Sequence, residues 1–357
     1  MAGVPFGTFA VTPLKAIIDE IIGGEGPMPL DRYMGLCLGH PQHGYYMTRN
    51  PFGEQGDFVT APEISQIFGE LIGVWCATAW VAMGRPSTFS LVELGPGMGT
   101  LMADVLKASK AMPGFREAAD IHLVEMSPVL RKLQGEKLRR GISWHETLAT
   151  VPEAPMLLLA NEFFDAIPIR QFEKRDRVWV ERCIGAKGMG FMPAALDNAQ
   201  GMNGDVIEFA PQRLAIAEDI GQRLAKHRGA ALIIDYGHLQ TAPGDTLQAV
   251  RAHQYVPITD EPGESDITSH VDFEALGKAL ASGGARTYPA MRQRDFLLAM
   301  GLEARAAILA ARADPVTAES LTRAVARLIG ESEMGNLFKV MVSTSPELAT
   351  PYPFGRT

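Results

Sequence analysis

Several things are scarce in this sequence, and each scarcity excludes a class of protein. No run of about 18 apolar residues occurs, so no segment is suited to cross a bilayer as a helix. There are only three cysteines, Cys37, Cys76 and Cys183, far apart and without a C-x-x-C pair. They predict buried free thiols in a reducing compartment. Basic residues are in deficit: 33 Lys and Arg against 41 Asp and Glu leave a net charge of −8. That balance argues against a general nucleic-acid binder, which carries a basic face, yet it suits a basic substrate. The first 16 residues lack the charged and apolar regions of a signal peptide and the arginine richness of a transit sequence. The expected location is cytoplasmic. Internal repeats and low-complexity tracts are absent as well.

What remains is an ordinary globular composition, 46% hydrophobic and 21% charged over 357 residues. The length suggests two domains at ~150 residues each.

The chain is organised around residues 89–100. An apolar run, 89–94, is short enough to be a buried strand. Glycines follow at Gly95, Gly97 and Gly99, and then an amphipathic run with Leu101, Val105 and Leu106 on one side. A strand, a glycine turn and a helix let backbone approach a ligand closely, because glycine has no Cβ. The helix beginning near Gly99 and Thr100 turns free N–H groups toward an anionic ligand group. Dinucleotide sites favour G-x-G-x-x-G. Here the spacing is G-x-G-x-G, with Pro96 inside the turn and Glu93 on the strand before it. This variant resembles the first motif of class I S-adenosylmethionine-dependent methyltransferases, in which the anion is the methionine carboxylate. A second strand candidate, 121–125, ends in Glu125, followed by Met126 and Ser127. An acidic residue there can take the ribose hydroxyls of an adenosine.

Ahead of this core the sequence predicts helices over 14–22 and from 30 to about 38, then a loop over 39–46. His40 and His43 lie three apart in that loop, but no Cys, Asp or Glu completes a ligand set and no metal site is expected. Residues 56–63 lead into a long helix, with Thr60 and Glu63 spaced for a capping box and Pro62 in the first turn. Ile64, Ile67, Phe68, Leu71, Ile72, Trp75, Ala79 and Trp80 line one face of it. Glu63 and Glu70 share a flank, Glu63 as a candidate cleft residue and Glu70 as a solvated one.

From residue 88 strands and helices alternate, as in a doubly wound parallel sheet. Strand candidates fall at 89–94, 121–125, 142–145, 156–161, 230–235, 286–288 and 337–342. Helix candidates are 100–111, 128–140, 211–227, 271–281, 293–300 and 317–329. The expected fold is therefore α/β, a seven-stranded Rossmann-like sheet with a helical N-terminal region. Two segments interrupt it. Residues 169–184 read as a β-hairpin turning at Arg175-Asp176 and running on through a Gly/Met/Pro-rich loop to about 205. Residues 237–269 have almost no periodicity, as in a lid or binding loop. The expected domains are 1–86, a helical cap or substrate region, and 87–357, the sheet domain with insertions at about 169–205 and 237–269 after its fourth and fifth strands.

Ligands of such sheets bind beyond the carboxyl ends of the strands. That rule gathers 95–100, 125–127, 144–146, 161–165 and 235–238 around one crevice. In 161–168 an apolar strand runs into Asn161-Glu162, with Asp165 just beyond. These are either turn formers and solvated groups or the groups that hold a methyl acceptor. A guanidinium is protonated at neutral pH and needs carboxylates to orient it and draw its charge away from the attacking nitrogen. Glu162, Asp165 and Glu63 are the candidates, with Asn161 beside the cofactor.

Residues 56–64, 92–100, 161–168, 235–237 and 266–273 together resemble the MidA family, and the likeness runs from about Ile17 to Val342. The resemblance implies a class I methyltransferase core, S-adenosyl-L-methionine as donor and a protein arginine as acceptor. In mitochondrial members it implies a subunit of respiratory complex I as target. A small-molecule methyltransferase and a non-catalytic S-adenosylmethionine-binding assembly factor are the alternatives. An NAD(P) oxidoreductase is disfavoured by the glycine spacing.

Overall fold

The computed structural model describes residues 12–49, 51, 60–139, 141–194, 196 and 200–355. Residues 56–59 of the motif beginning at Gly56, and Arg140, fall outside them. By internal contacts the chain forms two units. One draws on Met1–Pro51, Pro168–Ala210 and Ala242–Ser269, the other on Phe52–Ile167, Pro211–Thr241 and His270–Thr357.

The second unit holds the principal sheet. Its main strands are β1 (Phe89–Leu94), β2 (Ala119–Val124), β3 (Ile142–His145), β4 (Met156–Asn161), β5 (Gly229–His238), β6 (Arg286–Thr287) and β7 (Phe338–Thr344). They lie in the order β6-β7-β5-β4-β1-β2-β3. The strands from β5 to β3 are mutually parallel, while β7 runs antiparallel between β5 and β6. The sheet is mixed and has nine strands rather than seven, because Val271–Asp272 pairs with β5 and Met291–Arg292 with β7.

Strand residues alternate between two cores, as the two-residue period of a pleated strand requires. Leu91, Leu157, Leu159, Leu232, Ile234, Val340 and Val342 face one way, onto helices α1 (Gln66–Ala82) and α2 (Thr100–Ala108). Val92, Leu94, Leu158, Ala160, Ala231, Ile233 and Met341 face the other, among the apolar residues of α4 (Pro211–His227) and α5 (Phe273–Ser282). Helix α3 (Pro128–Leu138) follows β2. Burial on both faces explains why these strands read as unbroken apolar runs.

The long helix expected from Thr60 is in fact broken. Ala61–Ile64 is a single turn whose Thr60 side chain makes no capping bond, so the capping box is not formed. Ser65, at φ −157° and ψ 129°, interrupts the helix, and its hydroxyl accepts from the Ile67 N–H to cap α1. Glu70 is not solvated either: Arg305 Nε meets it at 2.7 Å. A helix at Leu302–Ala310 had no counterpart in the sequence reading.

In the first unit, helices Pro13–Glu25 and Leu30–Gly39 accompany a five-stranded antiparallel sheet. The expected hairpin is present as Arg170–Arg175 and Val178–Gly185, closed by Asp176 and Arg177 at φ 45° and 70°. Two left-handed residues match the twist of the strands they join. Two loop expectations are corrected. The Gly/Met/Pro-rich stretch contains a third strand, Gly188–Pro193, whose alternating exposure its composition hid. The 237–269 stretch contains a small sheet of Gln254–Val256, Gln248–Arg251 and Asp266–Thr268. These strands are three to four residues long, too short to show a period. Tyr45–Thr48 is a short helix, and the His40 and His43 rings before it stack at 5.2 Å. The three cysteines are free and buried. Among the described residues no helix is long and apolar enough to cross a membrane.

Candidate functional site

Neighbouring β1 and β4 pair in parallel up to Leu94↔Ala160, and in the sheet β1 is followed outward by β2 on one side and β4 by β5 on the other. Strand order reverses here, so a crevice opens beyond the carboxyl ends of the two strands. The sequence fills that crevice with the glycine turn on one side and Asn161-Glu162 on the other. One cleft is lined by Thr60, Pro62, Glu63, Glu93, residues 95–98, Thr100, Leu101, Asn161 and Glu162.

In the glycine turn, Gly95, Gly97 and Gly99 have φ of 60°, 50° and 74°, a region that side-chain-bearing residues avoid. The turn is pinned by Gly95 N–H donating to Val124 O (3.0 Å) and Gly99 N–H to Pro96 O (2.7 Å). A Cβ at Gly95 would meet Phe163 at 3.0 Å. Gly99 is the residue before α2, whose first N–H groups are the donors an anion would use. Glu93, almost wholly buried, has its pKa pushed up to about 8 by burial, and its Oε2 has no hydrogen-bond partner among the described residues.

Glu125 lies just past β2. Its Oε1 accepts from the Ser127 N–H at 2.7 Å and its Oε2 from Gln134 Nε2 at 3.3 Å. Burial raises its pKa to about 6, opposed by those donors. Met126 is exposed, and the buried Ser127 caps α3 by accepting from Leu130 N–H. Glu125, Met126 and Ser127 are not among the residues that line the cleft above. They are tied to it by Gln134, whose Nε2 also donates to Gly97 O at 2.8 Å.

Glu162 has a left-handed backbone, φ 51°. Its Oε1 accepts from Ala61 N–H (3.2 Å) and Asn161 Nδ2 (3.1 Å). Burial first, then the charge of Asp165, pushes its pKa up to about 7, and Glu63 adds to the effect. The Asn161 Oδ1 is buried with no partner among the described residues. Asp165 stands differently. It does not line this cleft, and its Oδ2 accepts from the Tyr236 hydroxyl at 2.8 Å. Asp235, fully buried, accepts from the N–H groups of Phe164 (2.9 Å), Asp165 (3.2 Å) and Tyr236 (2.9 Å). Arg213 ties the same turn by donating to the carbonyls of Asp165, Ile167 and His270. Burial raises the pKa of both aspartates, and their mutual proximity raises that of Asp235 further.

Gln134 and Arg213 were not singled out from the sequence, and Asp235 and Tyr236 were placed at the crevice without a role. Gln134 left a signal: it stands on the buried stripe of α3 between Leu130 and Leu138. A carboxamide on an apolar stripe calls for partners. The Arg213 contacts join residues about 50 apart, which no local pattern reveals.

A backbone cradle open to an anion, a helix N-terminus, and buried acceptors at Glu93 and Asn161 fit a cationic nucleoside cofactor with a carboxylate tail. A protein family described as "Putative S-adenosyl-L-methionine-dependent methyltransferase" matches residues 71–291. The chain belongs to this family. The mitochondrial protein arginine methyltransferase NDUFAF7 of Mus musculus is 36% identical over 365 residues, covering 92% of this chain and 83% of that protein. The Drosophila melanogaster homologue is 36% identical over 359 residues, covering 88% and 81%. A superfamily member from Burkholderia thailandensis, bound to S-adenosyl-homocysteine, superposes with a TM-score of 0.80 at 31% identity, covering 93% of this chain and 91% of that one. The α/β fold with its mixed sheet is that of a methyltransferase, and S-adenosyl-L-methionine is the cofactor of this methyltransferase.

Proposed function

We propose that this methyltransferase N-methylates arginine on a protein. The observation that carries the reading is a single cleft in which Glu63 and Glu162 share the lining with the glycine turn. The relatives named as protein arginine methyltransferases support it. In this reading Gly95, Pro96, Gly97, Gly99 and Thr100 hold the methionine end of the cofactor. Glu125, with Met126 and Ser127, holds the ribose, and Glu93 and Asn161 lie alongside.

The bound cofactor supplies an electrophilic sulfonium methyl, and in-line attack transfers it as the sulfur becomes a neutral thioether. The chain's own residues do the rest. Glu162 and Glu63 orient the guanidinium and draw its positive charge away from the attacking nitrogen. The methylated nitrogen must shed one proton, and Glu162, with its pKa pushed up to about 7, is suited to take it. Asp165 acts through Glu162, whose proton affinity it raises.

The sheet keeps a seven-strand methyltransferase core, with 1–86 as a cap or substrate region and insertions at about 169–205 and 237–269. The acceptor belongs to a respiratory complex I subunit, the target that the family resemblance implies for mitochondrial members. The enzyme works in the cytoplasm, a setting that suits its three free thiols.

Incubation with methyl-labelled S-adenosylmethionine and a lysate from a deletion strain tests the reading. Label on an arginine side-chain nitrogen of a protein is the expected result. Label on an oxygen or a small metabolite would replace it with a small-molecule enzyme, and binding without transfer would leave an assembly factor.

A further inference from the structure

Gln134 is fully buried in the middle of α3. A carboxamide buried without partners is destabilising, and its three hydrogen bonds show what offsets that cost. Its Oε1 accepts from Trp144 Nε1 at 2.8 Å, while Nε2 donates to Gly97 O at 2.8 Å and to Glu125 Oε2 at 3.3 Å. An indole can only donate and a backbone carbonyl can only accept, so the amide has one possible orientation. The oxygen faces Trp144, and both N–H groups face the cofactor side.

One side chain thus joins the glycine turn to the carboxylate at the end of β2. We propose that Gln134, oriented by Trp144, is a positioning residue that sets Glu125 to receive the ribose hydroxyls in register with the glycine turn. The inference rests on the assignment of Glu125 to the ribose. Ser127 N–H holds one oxygen of that carboxylate and Gln134 the other. A carboxylate offers about four acceptor positions, so these two donors leave capacity for a ribose hydroxyl. Without Gln134 the carboxylate loses a donor and its fixed orientation, and the turn loses its tie to it. The rest of the turn keeps its own bonds to Val124 and Pro96.

Calorimetry on the full chain with S-adenosylhomocysteine and its 2′-deoxyribosyl analogue tests this. The wild type is expected to prefer the parent ligand by about tenfold, the weight of one charge-assisted hydrogen bond. Gln134→Met keeps the length and removes all three bonds. It is expected to lose most of that factor on the parent and little on the analogue, so the preference shrinks to about twofold. Trp144→Phe leaves the amide in place but frees it to turn, and is expected to shift the preference the same way by roughly threefold. It serves where Gln134→Met does not fold. An undiminished preference in these variants overturns the proposal, whereas a uniform loss on both ligands reduces Gln134 to a packing residue. Glu125→Gln separates the two levels. If it abolishes the preference while Gln134→Met keeps it, the ribose assignment stands and the positioning role falls. If the preference survives in Glu125→Gln, both fall.

Discussion

Around Gln134 the polar groups satisfy one another, whereas at the end of β4 they do not. Gln134, Trp144, Glu125, Ser127 and Gly97 form a closed set in which each buried donor meets an acceptor. At the strand end, Glu162, Asp165 and Asp235 gather as carboxyls with raised pKa. The Oδ1 atoms of Asn161 and Asp165 are buried there with no partner among the described residues. A satisfied network rigidifies a site. Crowded carboxyls that resist ionising hold free energy in reserve, released when a cation arrives. In the proposed reading, the ribose side of the site is rigid and the acceptor side is poised for positive charge.

Breaking the rigid side is expected to have the largest effect. Gly97→Val forces a β-branched residue to φ 50° in the turn. It should weaken S-adenosylhomocysteine binding by ~100-fold or more, about 2.7 kcal/mol, while the thermal transition stays cooperative. Calorimetry and a melting curve read the two effects separately, and wild-type affinity would place the cofactor elsewhere. On the poised side, Glu162→Gln keeps the shape but removes the charge. Transfer to an arginine-containing protein should fall on the order of 100-fold with cofactor affinity nearly unchanged, as for loss of a transition-state contact. Wild-type transfer would make Glu162 a bystander.

The pH profile sharpens the contrast. With the Glu162 pKa at about 7, its ionised fraction rises about tenfold between roughly pH 6 and 8, and kcat/KM of the wild type should rise with it. Glu162→Gln should flatten that limb. Asp165→Asn, which removes a like charge, should move the rise to lower pH. A limb untouched by either substitution belongs to another group.

The last expected effect concerns stability rather than binding or turnover. The folded-state pKa of Glu93 is raised from 4.5 to about 8, so the native state binds more protons than the unfolded chain between those values. The stability from this group is fully present below about pH 4.5 and is lost as pH rises through about 8. Denaturation of Glu93→Gln should therefore show a gain over wild type that grows across that window. A constant difference at every pH would show that Glu93 does not titrate there.

The sheet was legible because its strands bury both faces and so print as apolar runs. The expected bounds of β1, β3 and β4 match the structure to the residue. The glycine turn was legible because φ above zero is nearly a private signal of glycine. Glu162 shows the limit of that signal, since it takes φ 51° with a side chain and reads as an ordinary turn. Thr60 and Glu63 matched the capping pattern, but the extended Ser65 made its own cap and won. Asp235 and Arg213 hold the β4 turn through contacts of 46 to 71 residues' separation, which need the fold before they can be seen.

The position of β7 has a consequence for how the chain is made. It is the last strand of the sheet in sequence, yet it lies inside the sheet, paired with β5 from Ala230↔Thr344 to Tyr236↔Phe338 and with β6 beyond. A ribosome delivers β5 roughly a hundred residues before its partner, an interval of about 5–20 s at ordinary elongation rates. Through that interval the nascent chain carries the buried strand residues Ala230–Ile234 as an apolar edge with one side unpaired, a template for joining other chains. The risk of aggregation is concentrated in synthesis, and it ends when Thr344 takes its place.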